Sequence, residues 1–186
     1  MNVGALQSFC GLLRRSEAAR MRPEHVKRAS IFGKAPSHRR ITIRLPVAKT
    51  GMNQAVIISL EEVAKLLEAW CKRPAPDGTV FGIGTRFGIS PNFYRAWHAA
   101  MAELGLSHIG FTPHCLRHGG ATGLAMNEQS AETIMMRGRW MALSSANRYS
   151  QTAEAAFIEA GIPADILRWG DRCLASLHFL EPIDFV

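Results

Sequence analysis

The chain alternates between two hydrophobic periods, and the change of period marks its organisation. Residues 3–20 set Val3, Leu6, Phe9, Leu12 and Leu13 at helical spacing, then turn basic at Arg14 and Arg15. Apolar positions three and four apart share one face of a helix, so this stretch predicts a helix ending near Met21, with Pro23 just beyond it. From residue 25 to 59 the period shortens. Val26 to Phe32, Ile41 to Leu45 and Ala55 to Ile58 predict three short strands, separated by turn residues at 33–37 and 50–53. The expected unit is a small antiparallel meander.

Helical spacing then returns. Ser59 is placed to cap a helix running to about Lys72, with Glu61 and Glu62 in its first turn, where carboxylates suit the helix dipole. Residues 73–90 hold two Pro and four Gly and predict a loop. Pro91 and Pro113 each sit where a helix opens, because proline at the first helical position gives up no hydrogen bond. Those helices extend to about Gly105 and Met126, and shorter ones are expected at 129–137 and 142–149. A tail adds a helix at 152–160, stopped by Gly161, and another opening at Pro163. The fold class expected is mainly α (α+β): a helical domain over 1–150 with one three-stranded sheet near its N-terminus, then a helical tail over 151–186.

Composition narrows the class. A hydrophobic share of 47% with 20% charged residues is that of a globular protein, not a disordered one. The net charge of +7 is unevenly spread: residues 1–150 hold 20 Lys/Arg against 9 Asp/Glu, and residues 151–186 hold 2 against 6. A basic body of this kind fits a polyanion partner as well as a solvated surface. Cys10, Cys71, Cys115 and Cys173 form no C-x-x-C pair, so they read as reduced thiols. No apolar run approaches membrane-spanning length, and the arginines follow the first apolar stretch, the reverse of a secretory signal. The expected location is intracellular, in a prokaryotic cytoplasm or nucleoid or a eukaryotic nucleus.

The candidate chemistry sits in three places. In Thr112-Pro113-His114-Cys115-Leu116-Arg117-His118, His114 and Arg117 are three apart and point to one side of a helix's first turn. A helix N-terminus already favours anions, and an imidazole with a guanidinium there makes a phosphate site. Alone, His114 fits a cap and Arg117 a surface charge equally well. Trp140 follows Arg117 by 23 residues within Gly138-Arg139-Trp140, and Tyr149 follows Trp140 by 9. Each aromatic, taken alone, reads as packing.

Taken together, His-x-x-Arg, a Trp after Gly-x, and a Tyr nine residues on resemble the C-terminal signature of the tyrosine recombinases, the phage-integrase family. Pro113 to Thr122 resembles that family's second box, and His118 is part of it. Trp140 stands where most members carry His. The resemblance implies an earlier Arg and a Lys. Leu13-Arg14-Arg15-Ser16-Glu17 resembles the first box, Arg-x-Ser-Glu, with Arg14 as the catalytic arginine, Arg15 as its rival and Glu17 as a buttress. Ala48-Lys49-Thr50 resembles the family's hairpin Lys-Thr and implies Lys49 in the active site. These stations fall in the family's order and cover nearly all of residues 10–150.

The residue types suit phosphodiester cleavage. Negative charge builds on the non-bridging oxygens, and two arginines, Arg14 and Arg117, can clamp them with charge-assisted bonds. An indole N–H only donates, so Trp140 can hold a phosphate oxygen but take no proton, which leaves His114 as the base or donor beside Tyr149. A free phenol has a pKa of about 10 and needs activation by cations or a base. Attack by Tyr149 gives a covalent phosphotyrosine and expels a 5′-hydroxyl, for which Lys49 is the candidate acid. The covalent link stores the bond's free energy, which agrees with the absence of an ATP-binding G-x-x-x-x-G-K-[ST] motif. No cofactor and no metal site is expected. Arg15, Arg20, Lys27, Arg39, Arg40, Arg139 and Arg148 remain for the DNA backbone, where contacts position rather than specify.

The expected activity is site-specific breakage and rejoining of double-stranded DNA, with homo-tetramers on DNA implied by the resemblance. Members also carry an N-terminal helical domain that closes around DNA; the first box begins by residue 14 here, so that domain is expected to be missing. The tail either docks on a neighbouring protomer, as in the family, or packs on its own domain. Three other readings stand beside this one: an inactive DNA-binding remnant or regulator on the same fold, a type IB topoisomerase-like enzyme, and a basic helical interaction module.

Overall fold

The computed structural model describes residues 8–28, 40–48, 51–85, 88–89 and 91–175. The fold is mainly helical, with a three-stranded antiparallel sheet near the N-terminus, as the hydrophobic periods predict. The strands are β1 (Val26–Arg28), β2 (Ile41–Ala48) and β3 (Gly51–Ile58), side by side in that order. Their register sets Ile41 opposite Ile58 and Ile43 opposite Val56. These four, with Leu45, form the buried face, while Arg44 and Ile57 point to solvent. Helix α2 (Glu61–Cys71) covers that face with Val63, Ala64, Leu66 and Leu67. Leu13, Met21, Val80 and Phe81 complete this first core.

A second core lies beneath the helical half. It is built from α4 (Cys115–Met126), α5 (Ala131–Gly138) and α6 (Leu143–Tyr149), which pack on one another. Leu12, Ala121, Ile134 and Ala146 are its buried centre, and Trp140 and Tyr149 pack against it. Ser130 caps α5 by accepting from the Thr133 amide at 3.2 Å. Helix α3 (Pro91–Glu103) is held partly by the Trp97 indole N–H, which donates to the Phe111 carbonyl at 2.8 Å. In the tail, α7 (Thr152–Ala160) packs on α4 of its own domain, and α8 (Ala164–Ala175) follows, with Leu167 and Trp169 partly exposed.

The two cores explain the chief departure from the periodicity. The expected helix over 3–20 is broken: residues 8–10 are helical, 11–14 are not, and α1 is only Arg15–Ala19. Leu12 takes a left-handed backbone (φ 47°), which sends it into the second core and the adjacent Leu13 into the first. Burying both leucines stabilises the break by roughly 1.5–3 kcal/mol each, more than the ~1–2 kcal/mol of a left-handed residue. The break also leaves the carbonyls of Gly11 and Leu12 without helical partners. The 8–10 segment lies so close to α4 that a Cβ at Gly120 would stand 2.2 Å from the Phe9 carbonyl oxygen.

Smaller departures follow from packing. Leu60, not Ser59, is the N-cap of α2, with no side-chain cap bond, so the buried stripe outweighs a cap worth ~1 kcal/mol. Helix α4 begins at Cys115 with His114 as N-cap, two residues later than Pro113 suggested. The glycine-rich loop contains a two-stranded ribbon, β4 (Gly84–Thr85) with β5 (Gly88–Ile89). Strand β3 starts at Gly51, four residues before the expected Ala55, and pairs Gly51 with Ala48. Lys49 falls between those partners and lies outside the described residues, as do Arg39, the 33–37 turn and the expected extension of the first strand to Phe32. Among the described residues no helix is long and apolar enough to cross a membrane.

Candidate active site

Tyr149 is the last residue of α6, and its surroundings come from three stretches of chain: α4 with its N-cap, the segment after α5, and the residues just after α6. Its phenol oxygen lies 3.1 Å from His114 Nε2 at the N-cap of α4. One helical turn on, the His118 ring stacks on the phenol at 4.0 Å and 21°. Trp140, just beyond α5, packs on it at 4.6 Å. The Arg117 guanidinium lies 4.7 Å from the Trp140 ring and 5.9 Å from the Tyr149 ring. The end of α6 is pinned by Thr122, whose hydroxyl donates to the Tyr149 carbonyl at 3.1 Å and accepts from the Gln151 amide at 3.2 Å.

Local sequence explains the close packing. A Cβ at Gly138 would meet the Trp140 ring at 2.0 Å, so only glycine lets the indole lie against the end of α5. Arg139 between them is left-handed (φ 56°), which turns the chain sharply after α5. Among the described residues, Arg117 is the largest fully buried side chain. It donates to the Leu12 and Gly138 carbonyls, so the helix break and the end of α5 together hold it. Burial first, then Arg139 and Arg14, push Arg117 down to about 10, against the pull of Glu17 and Tyr149. It therefore stays charged at neutral pH.

Arg14 is the N-cap of α1 and its side chain is 20% exposed, which leaves it a solvent-facing edge. Its guanidinium donates to Glu17 Oε1 at 2.9 Å and its amide to Glu17 Oε2 at 2.7 Å. Arg15, the rival for the first-box position, is exposed and bonds the Tyr94 hydroxyl on α3. Both arginines act on His114. Its pKa is lowered by burial first and then by His118, Arg15, Arg117 and Arg14, so the imidazole is neutral near pH 7 and can accept a proton. Burial and Arg117 lower His118 likewise, with Glu154 opposing.

A cleft of about 550 Å³ opens beside Arg14, lined also by Ser16, Arg20, Arg22, His25 and Pro46. It reaches Ala48, the residue before Lys49. Among the expected backbone contacts, Arg15, Arg20, Lys27, Arg40 and Arg148 are exposed. Arg139 is not: it is buried, bonds Glu17 Oε2 at 2.7 Å and the Leu12 carbonyl at 3.2 Å, and cannot serve as a surface contact. The Arg139–Glu17 pair and the Thr122 anchor were not foreseen; nothing in their spacing marks them, since each partner lies on a distant segment. Arg28, at the end of β1, is exposed but paired with Glu68, with one bond of 2.6 Å. Among the described residues no cluster of three or more His, Cys, Asp or Glu could hold a metal.

Comparison with known families matches residues 9–156 to the Phage integrase family. None of the curated proteins matches the chain. Among solved structures, the fold is similar to "Crystal structure of XerH site-specific recombinase bound to difH substrate: pre-cleavage complex", with a TM-score of 0.59 and 19% identity. The match covers 83% of this chain but only 44% of that one, so the chain spans under half that recombinase's length. The matched region contains Arg14, Glu17, His114, Arg117, Trp140 and Tyr149, and this chain belongs to the phage integrase family, the tyrosine recombinases.

Proposed function

We propose that this chain breaks and rejoins double-stranded DNA site-specifically through a 3′-phosphotyrosyl intermediate, with Tyr149 as nucleophile. The observation that carries the reading is the 3.1 Å approach of His114 Nε2 to the Tyr149 hydroxyl, with Arg117 beside the same ring. Because both belong to one chain, Tyr149 attacks the phosphate held by its own protomer.

The step runs as follows. Arg14 and Arg117 neutralise the non-bridging oxygens of the scissile phosphate. Arg117 has five N–H groups, and the bonds to Leu12 and Gly138 use two. Neutral His114 takes the Tyr149 proton as the phenol oxygen bonds to phosphorus. The Trp140 indole N–H holds a phosphate oxygen. The bond to the 5′-oxygen breaks, and Lys49, next in sequence to the cleft's Ala48, protonates it. A general acid or base of this kind contributes ~10²–10⁴-fold. The phosphotyrosine keeps the bond energy, so a 5′-hydroxyl of another strand reverses the step without ATP. Arg20 and Arg22 in the cleft, with the exposed Arg15, Lys27, Arg40 and Arg148, follow the DNA backbone, and DNA assembles the protomers into a tetramer.

The test is a nicked suicide duplex carrying the terminal sequence of the chain's own genetic element, read on a denaturing gel. Wild-type protein forms a covalent adduct and Tyr149→Phe forms none. Salt-sensitive DNA binding without an adduct refutes catalysis and leaves an inactive DNA-binding remnant. Relaxation of any supercoiled plasmid by the monomer favours topoisomerase-like action instead.

A further inference from the structure

The described residues bring three guanidinium groups, those of Arg14, Arg117 and Arg139, around one buried carboxylate. Glu17 Oε1 accepts from the Arg14 guanidinium, while Oε2 accepts from both the Arg14 amide and the Arg139 guanidinium. The Arg139–Glu17 bond, 2.7 Å long, joins residues 122 apart in sequence, and both side chains are almost wholly buried, at 6% and 4% exposure. Arg139 also donates to the Leu12 carbonyl, which Arg117 shares. One side chain therefore touches the groups that hold both arginines. Burying such a cation is costly, so its placement calls for a role.

We propose that Arg139 is a positioning residue for the phosphate clamp: through Glu17 it sets Arg14, and through the Leu12 carbonyl it sets Arg117. The proposal rests on the reading of Arg14 and Arg117 as the clamp. Arg139 itself touches no substrate. It locks the helix-break segment to the end of α5, so the two guanidiniums keep one separation whether or not DNA is bound. The carboxylate balances only one of the three positive charges; a bound phosphodiester balances a second, and the further negative charge of the transition state the third.

Positioning and simple structural support differ in one readout. If Arg139 acts through the clamp, its loss matters only while the scissile phosphate carries the charge that the clamp neutralises. Single-turnover adduct formation is compared on suicide duplexes with a phosphate or a neutral methylphosphonate at the scissile position. Arg139→Lys keeps the charge but loses the planar fork. It is expected to cleave phosphate ~10–100-fold more slowly than wild type, in line with a shift of about 1 Å in a reacting group. On methylphosphonate the gap closes to about threefold, and the salt dependence of DNA binding stays that of wild type. Glu17→Asp, which keeps the charge and withdraws the carboxylate by one methylene, is the second variant and must show the same rescue. Wild-type-like cleavage by both variants, or equal defects on the two substrates, overturns the positioning role. No adduct from wild type on either duplex instead refutes the reading beneath it.

Discussion

Adding one methyl group at Gly138 tests whether the stacked site is set by packing. A Cβ there would stand 2.0 Å from the Trp140 ring, where ordinary contact begins at 3.4 Å. A Cβ is fixed to the helix backbone and cannot yield, so the indole must retreat by about 1.4 Å. Trp140 packs on Tyr149 at 4.6 Å and on Arg117 at 4.7 Å, and the Gly138 carbonyl accepts from Arg117, so the retreat disturbs the proposed nucleophile and the proposed clamp together. Overpacking of this kind costs ~1–3 kcal/mol of stability. A displacement near 1 Å costs a reacting group ~10²-fold in rate, equivalent to about 2.7 kcal/mol of barrier. Gly138→Ala is expected to melt lower by roughly 2–12 °C and to form adduct ~100-fold more slowly. The cycle with Trp140→Ala isolates the cause: without the indole the methyl group has room, so the second Gly138→Ala step costs less than a tenth as much. Equal damage from Gly138→Ala with and without Trp140, or none in either background, refutes the reasoning.

Three further outcomes follow from the geometry. As the proposed base, His114 can act only when neutral, and its pKa is lowered from 6.5, so the acid limb of the cleavage rate is expected below pH 6.5 and disappears in His114→Gln; a limb above 6.5 that persists in the variant contradicts the assignment. Arg20→Gln, in the cleft, weakens binding evenly across DNA sequences and reduces the slope of log affinity against log salt by about 1, measured by fluorescence anisotropy. Thr122→Val removes the bonds that pin the end of α6, lowering stability by about 1 kcal/mol in a denaturant melt and slowing adduct formation more than it weakens DNA binding.

The sequence carries some of this fold openly and hides the rest for physical reasons. The alternation of Ile41, Ile43 and Leu45 reads as a strand because one face is buried, and Val63, Leu66 and Leu67 read as a helix for the same reason. The stripe from Phe9 to Leu13 misleads, because periodicity assumes one core and Leu12 and Leu13 enter two. His114, Arg117, Trp140 and Tyr149 are legible because their side chains and spacing carry chemistry, and the structure brings these four together. Arg139 is not legible: a guanidinium after a helix-ending glycine looks like any surface cation, and only tertiary structure sets Glu17 against it. The tail is intermediate: its helices follow from spacing, and the packing of α7 on α4 is a tertiary fact.

The central claim is that the DNA becomes bonded to one particular phenol, and the chain offers two tyrosines, Tyr94 and Tyr149. Digesting the trapped adduct with protease and nuclease and mapping the nucleotide-bearing peptide by mass spectrometry decides between them. The account predicts a 3′-phosphate remnant on the peptide containing Tyr149; a remnant on Tyr94, or on any other side chain, contradicts it.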